Sequence, residues 1–158
     1  MRSRRPAHLR SNPFNCVQLQ KTMTTNKPEY DQTEKFRAGL AVREAVLGKD
    51  KVAKALWDAD AFNAPMQQFA TEFCWGAAWT RQGLPKKTRS LLNIAMLTAM
   101  NRSTELATHV RGALTNGCTI VEIQEALLQA AVYAGVPAGI EGFRTATPII
   151  REHLAAQE

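Results

Sequence analysis

Apolar residues recur along this chain at three- and four-residue intervals, and no segment alternates apolar with polar residues between hairpin turns. Helical side chains share a face at those intervals and strand side chains at intervals of two, so the pattern specifies an all-α fold. Punctuation divides the chain into about six to seven helices. The first is expected from about Pro28 to Leu47, with Phe36, Leu40, Val42, Ala45, Val46 and Leu47 on its apolar face and Gly48 as its stop. A short helix from Lys51 to Ala59 follows, and Asn63 with Pro65 opens a third that runs to about Trp79. Pro85 stands near the start of a fourth, whose inward face is expected from Leu91, Leu92, Ala95, Met96, Ala99 and Met100. Ser103 is expected to cap a fifth that ends at Gly117, and Thr119 with Glu122 forms a capping box for a sixth that ends at Gly135. Pro137 opens the last helix, which Pro148 is expected to kink or divide.

The third helix carries two apolar stripes, Phe69, Phe73 and Ala77 on one side and Trp75 and Trp79 on another. Two stripes imply burial on two sides, a core on one and a pocket or subunit contact on the other. The tryptophan pair is therefore taken as a source of surplus apolar surface, and a homo-oligomer is expected.

At 158 residues the chain suits one domain, read as residues 28–158 behind a disordered leader over residues 1–27. The formal charge of +6 resembles a nucleic-acid signal until it is located: Arg2, Arg4, Arg5, Arg10 and Lys21 supply five of those charges before Met23. The remainder is almost neutral, which argues against a nucleic-acid partner. The leader lacks the apolar stretch of a secretory signal, and no run approaches the length of a membrane helix. A cytoplasmic protein without a membrane partner is expected. The leader reads either as sequence upstream of a natural start at Met23 or as an Arg-rich transit peptide. Cys16, Cys74 and Cys118 form no CxxC pair, and Cys74 and Cys118 are expected to be buried packing thiols.

Glu105 and His109 stand four apart on one helix face, so a carboxylate there can hold the imidazole and raise its pKa. Gly112 and Asn116 continue that stripe and leave a small wall able to admit a ligand. The alternative is an ordinary surface pair beside a tight helix contact. Arg81, Arg89 and Arg111 are the nearby cations suited to gripping a carboxylate, with Arg89 placed nearest the buried side and Arg111 assigned to an ion-paired surface. Glu72, one turn before Trp75, is either an acid in aromatic surroundings or a structural partner of an arginine. No phosphate loop, dinucleotide fingerprint, HExxH or nucleophile elbow occurs, so no cofactor and no metal are expected.

Taken together, the segments AVREAVLGKDKV, TEFCWGAAWTRQGLPKKTRSLLNIAMLTAMNR and ELATHVRGALTNGCTIVEIQEALLQAAVYAGVPAGIEGF resemble the carboxymuconolactone decarboxylase family. The resemblance covers about residues 36–151. It implies an alkylhydroperoxidase D-like helical bundle assembled as an oligomer, a hexamer or a trimer. It also implies cofactor-free decarboxylation of 4-carboxymuconolactone to 3-oxoadipate enol-lactone, in the protocatechuate branch of the β-ketoadipate pathway. Arg102 and Glu105 stand where redox-active relatives carry two cysteines, so dithiol chemistry is not expected here.

In such a reaction the carboxylate leaves a carbon conjugated to the lactone carbonyl, and the lactone itself takes up the electrons. The protein must orient that carboxylate, stabilise the developing oxyanion and deliver a proton to carbon. On the matched positions His109 is assigned as proton donor and Glu105 as its orienting partner. Arg89 with Arg81 would hold the carboxylate or oxyanion, and Trp75 and Trp79 would form a desolvating wall. Glu72 is kept as a substrate-side residue. Rival readings are a same-fold enzyme acting on another lactone or small acid, and a non-catalytic helical assembly.

Overall fold

The computed structural model describes residues 27–157; the basic leader, with His8 and Cys16, lies outside the described residues. Among the described residues seven α-helices and one π-helix follow one another: α1 (Glu34–Leu47), α2 (Lys49–Trp57), α3 (Ala64–Phe69), the π-helix (Ala70–Trp79), α4 (Lys86–Ala99), α5 (Ser103–Thr115), α6 (Ile120–Ala134) and α7 (Val136–Ala155). Among the described residues there is no strand.

The main core lies among the last four helices. Ile94 of α4, Leu106, Val110 and Ala113 of α5, Ile123 and Leu127 of α6, and Ala146 and Ile149 of α7 meet there, with Cys118 from the α5–α6 turn. Helix α4 is turned relative to expectation. Its buried residues are Ser90, Ile94 and Thr98, whereas Leu92, Met96 and Met100 are exposed. The reason is space: the Thr98 methyl packs where Gly142 leaves room, and Ser90 accepts a hydrogen bond from the Asn116 side chain at 2.9 Å. Small hydroxylated residues admit close helices there, and the bulky stripe is left on the outside.

A second cluster joins α1 to the π-helix. Val46, Trp75 and Trp79 are its buried members, with Val42 and Leu47 packed beside them. The two backbones nearly touch at Gly39 and Gly76. A methyl group on Gly39 would overlap the Thr71 carbonyl and come within 2.6 Å of the Gly76 nitrogen; one on Gly76 would overlap the Lys35 carbonyl. Arg43 pins the same contact from its side, donating to Thr71 Oγ1 at 2.9 Å and to Gln67 Oε1 at 2.8 Å. Burial lowers its pKa from the ordinary arginine value, a shift opposed by Tyr30 and Cys74.

Several boundaries differ from those expected. The first helix starts at Glu34 rather than Pro28, because the Thr33 hydroxyl caps it by accepting from the Phe36 N–H at 3.0 Å and donating to Glu72. Asn63 occupies the N-cap of α3 without a side-chain bond; Asp60 accepts from the Phe62 and Asn63 amides instead. Ser103 is the first residue of α5 and its hydroxyl turns to Glu141 of α7, 3.2 Å away. Helix α7 is not divided at Pro148, which is exposed, so the turn it disrupts faces water. The capping box is present as expected, with Thr119 Oγ1 accepting from the Glu122 N–H at 3.1 Å and Glu122 accepting from the Thr119 N–H at 2.7 Å. Helices end at Gly48, Gly117 and Gly135, all at positive φ.

Candidate active site

The third segment of the chain begins as an ordinary helix and widens into ten residues of π-helix, Ala70–Trp79. Such winding is rare and concentrates at functional sites. Here it sets Trp75 and Trp79 against each other, with ring centroids 4.7 Å apart and planes at 31°. His109 of α5 lies against both. Its ring is nearly parallel to that of Trp75, at 7° and 6.2 Å between centroids, and stands 6.4 Å from that of Trp79. Both tryptophans are buried, contrary to the expectation that they supply spare surface; Phe69 and Phe73 on the other stripe are half exposed.

The His109 imidazole meets α4 as well. Its Nδ1 is 3.3 Å from the amide nitrogen of Asn93. Burial among the aromatic rings pushes its pKa below the ordinary histidine value, the Lys51 ammonium lowers it further, and Glu105 opposes both. The net direction reverses the expectation. Glu105 is exposed in the first turn of α5, where a carboxylate complements the helix N-terminus, and Asn93 is the side chain hydrogen-bonded to the ring. The small wall expected beyond His109 is filled too. Gly112 packs against Val46 and Leu47, and Asn116 is bonded to Ser90.

Arg89 lies one turn before Asn93 on α4, so the two share a face. Partly buried, it donates from Nη2 to the Arg81 carbonyl at 3.1 Å, while its buried Nε has no partner. Arg81 itself is exposed in the loop after the π-helix. Glu72 accepts a hydrogen bond from the Thr33 hydroxyl rather than from an arginine. Arg111 pairs with Glu152 at 2.9 Å, the surface role expected of it. Of the two described cysteines, Cys118 is buried as foreseen but Cys74 is exposed.

Two participants escaped the sequence reading. Asn93 carried a signal, a lone amide inside the apolar run Leu91–Met96. Lys51 carried none, being one of several lysines on a short helix; its ammonium donates to Thr108 Oγ1 at 2.9 Å, next to His109. Among the described residues no cluster of three His, Cys, Asp or Glu side chains is suited to a metal ion. Clefts of about 320 Å³ beside Arg111 and Glu152 and about 430 Å³ beside Tyr30 and Gln68 have none of the aromatic–imidazole group in their walls.

The profile of the Carboxymuconolactone decarboxylase family matches residues 64–147, which span the π-helix, α4, α5 and α6. The chain is 39% identical over 125 residues, 79% of its own length and 93% of the relative's, to 4-carboxymuconolactone decarboxylase of Acinetobacter baylyi. The chain belongs to the carboxymuconolactone decarboxylase family. It is also 46% identical over 106 residues, 67% of its length and 74% of the relative's, to nitrosuccinic acid decarboxylase of Metarhizium robertsii. A third relative, an uncharacterized 15.0 kDa protein of Paracoccus denitrificans, is 35% identical over 83 residues, 51% of this chain and 62% of that protein. The all-helical, alkylhydroperoxidase D-like architecture expected of the chain is the one observed. No helix among the described residues is long and apolar enough to cross a membrane.

Proposed function

We propose that this chain is a cofactor-free carboxy-lyase that converts 4-carboxymuconolactone to 3-oxoadipate enol-lactone. The observation that carries this reading is the buried stack of Trp75 and Trp79 on His109, within a chain 39% identical to a protein named for that activity. The stack removes water from one side of the imidazole, and Arg89 with Lys51 supplies positive charge from α4 and α2. A carboxylate drawn from water against the aromatic wall loses its solvation, which favours release of neutral CO2. The electron pair it leaves passes through the C=C bond to the lactone oxygen, where a cation stabilises it.

His109 then protonates carbon. Burial and Lys51 both disfavour the charged form of the ring. An arriving dicarboxylate reverses that electrostatic balance and lets the ring take up a proton. A group with a low intrinsic pKa is, once protonated, the stronger donor. Glu105, on the same face but exposed, acts only as a distant negative charge that helps the imidazolium form.

The 46% identity to a nitrosuccinic acid decarboxylase favours a second substrate of the same logic. There the carboxylate leaves a carbon bearing a nitro group, which takes the electrons as the lactone does. Purified protein incubated with each acid, with CO2 and product followed by NMR, tests both readings. Enol-lactone formation supports the first, turnover of nitrosuccinic acid alone selects the second, and turnover of neither removes the decarboxylase reading for these substrates.

We also infer a homo-oligomer, a hexamer or trimer, but through a different surface from the tryptophans. Leu92 and Met96 of α4, Met100 at its end, and Val132 and Tyr133 of α6 are large apolar side chains left exposed on helices packed together, the kind of surface that subunit contacts cover. Light scattering at micromolar concentration tests this, and a monomer would refute it.

A further inference from the structure

We propose that Asn93 is a positioning residue that donates to Nδ1 of His109 and so holds the neutral ring as its Nε2–H tautomer. The proposal deepens the reading of His109 as proton donor and rests on it for its catalytic meaning, though not for the tautomer itself.

The geometry is that of a donor meeting an acceptor. The Asn93 side-chain nitrogen lies 3.3 Å from His109 Nδ1, and an amide NH2 group can only donate. A neutral imidazole accepts through the nitrogen that lacks a proton, so an amide donor at Nδ1 places the proton on Nε2. The rest of the ring's surroundings supply no competitor. On the π-helix side it meets the faces of Trp75 and Trp79; α2 contributes the Lys51 ammonium, and α5 itself contributes the exposed Glu105 carboxylate. On α4 the nearest charge is Arg89, one turn from Asn93 and likewise unable to accept. Among the described residues no carboxylate is hydrogen-bonded to Nδ1.

The frame holding Asn93 is firm. Its neighbour Ile94 is fully buried in the main core, and α4 is tied to α5 a second time through Asn116 and Ser90 at 2.9 Å. The amide therefore reaches His109 from a helix fixed on both sides of it. An amide here has a consequence that a carboxylate would not: it orients the ring without favouring its charged form, so it adds nothing to the opposing pull of the exposed Glu105 against burial and Lys51.

The experiment uses the full chain labelled with 15N-histidine. It has three histidines, so His109 is identified by comparison with His109→Gln. In the native protein at a pH where the ring is neutral, the long-range 1H–15N pattern should be that of the Nε2–H tautomer. Asn93→Asp, which offers only acceptor oxygens when ionised, should switch the neutral ring to Nδ1–H and raise the His109 pKa by about 1–2 units. The pH limb of kcat/KM should move upward by the same amount, with KM little changed. An Nδ1–H ring in the native protein overturns the proposal, as does an Asn93→Asp variant whose ring keeps the native tautomer and pKa. The spectra require no turnover, so they can fail while His109 remains the acid; conversely, an active His109→Ala protein would refute the donor role and leave the tautomer standing.

Discussion

Replacing Lys51 with Gln should raise the pKa of His109. The lysine reaches the site from α2, held by Thr108 at 2.9 Å, and its positive charge is the second cause, after burial, of the depressed histidine. Two unit charges at the separation of neighbouring side chains in a partly solvated site repel by on the order of 1 kcal/mol, which is up to about one pKa unit. Because the lysine is exposed to solvent, the expected upward shift is about half a unit to one unit. Burial is untouched by the substitution, so the variant's value should still lie below that of a free histidine. Histidine-selective NMR titration reads the shift directly, and added salt provides a second test: it should raise the native pKa toward that of the variant and leave the variant almost unmoved. The kinetic counterpart is that the substituted enzyme keeps its imidazolium to higher pH while losing one cation for the substrate, so the pH limb moves up and KM rises. An unchanged or lower His109 pKa in Lys51→Gln would refute the electrostatic account and assign the whole depression to burial.

His109→Ala should lower kcat by about a hundredfold or more, the scale of losing a positioned acid, with the oligomer intact by light scattering. Arg89→Lys loses the planar fork and the bond to the Arg81 carbonyl, and kcat/KM should fall about tenfold or more, mostly through KM; a rise in KM too small to measure would remove Arg89 from substrate binding. Gly76→Ala should cost about 2–3 kcal/mol and lower Tm by about 5–10 °C, because the added methyl overlaps the Lys35 carbonyl and forces α1 off the π-helix. Stability should fall with acid in two windows, measured as urea midpoints against pH. His109, whose folded pKa lies below its unfolded value of about 6.5, favours folding above that value and loses the contribution as pH drops through it. Glu122 is held at about 2 by the Lys87 and Thr119 hydrogen bonds, favours folding above its ordinary 4.5 and loses this toward pH 2; Glu122→Gln should abolish the second window.

Local grammar was legible in the sequence and distant contacts were not. Gly48, Gly117, Gly135 and the Thr119–Glu122 box mark helix ends through bonds made within a few residues, so spacing alone reveals them. The true start of α1 escaped because Thr33 is completed by Glu72, 39 residues away, and no local pattern contains that partner. The inward face of α4 was misjudged for a related reason. Hydrophobicity marks Leu92, Met96 and Met100 as side chains to be kept from water but does not say by what, while Ser90 and Thr98 are buried because their neighbours leave only small spaces. At the site, Trp75, Trp79 and His109 were found together because family resemblance preserved their order. The hydrogen bond that orients the ring was missed because Asn93 and His109 share no helix. The pull of Glu105 on His109 has the expected sign; it loses because the carboxylate is exposed and the ring is not.

The stacked indoles also have an optical consequence. Two tryptophan chromophores with centroids 4.7 Å apart and planes inclined at 31° couple electronically, so the pair should give a split circular-dichroism band that an isolated indole lacks. Trp57, the third tryptophan, is 61% exposed and contributes a solvent-like background that is easily subtracted with a Trp57→Phe protein. An imidazole lying parallel to Trp75 quenches indole emission more strongly once it is protonated, so fluorescence follows the charge on His109. The proposed site thus contains its own spectroscopic reporter, sensitive through the splitting to the spacing of the π-helix turn and through emission to the protonation of the ring beside it.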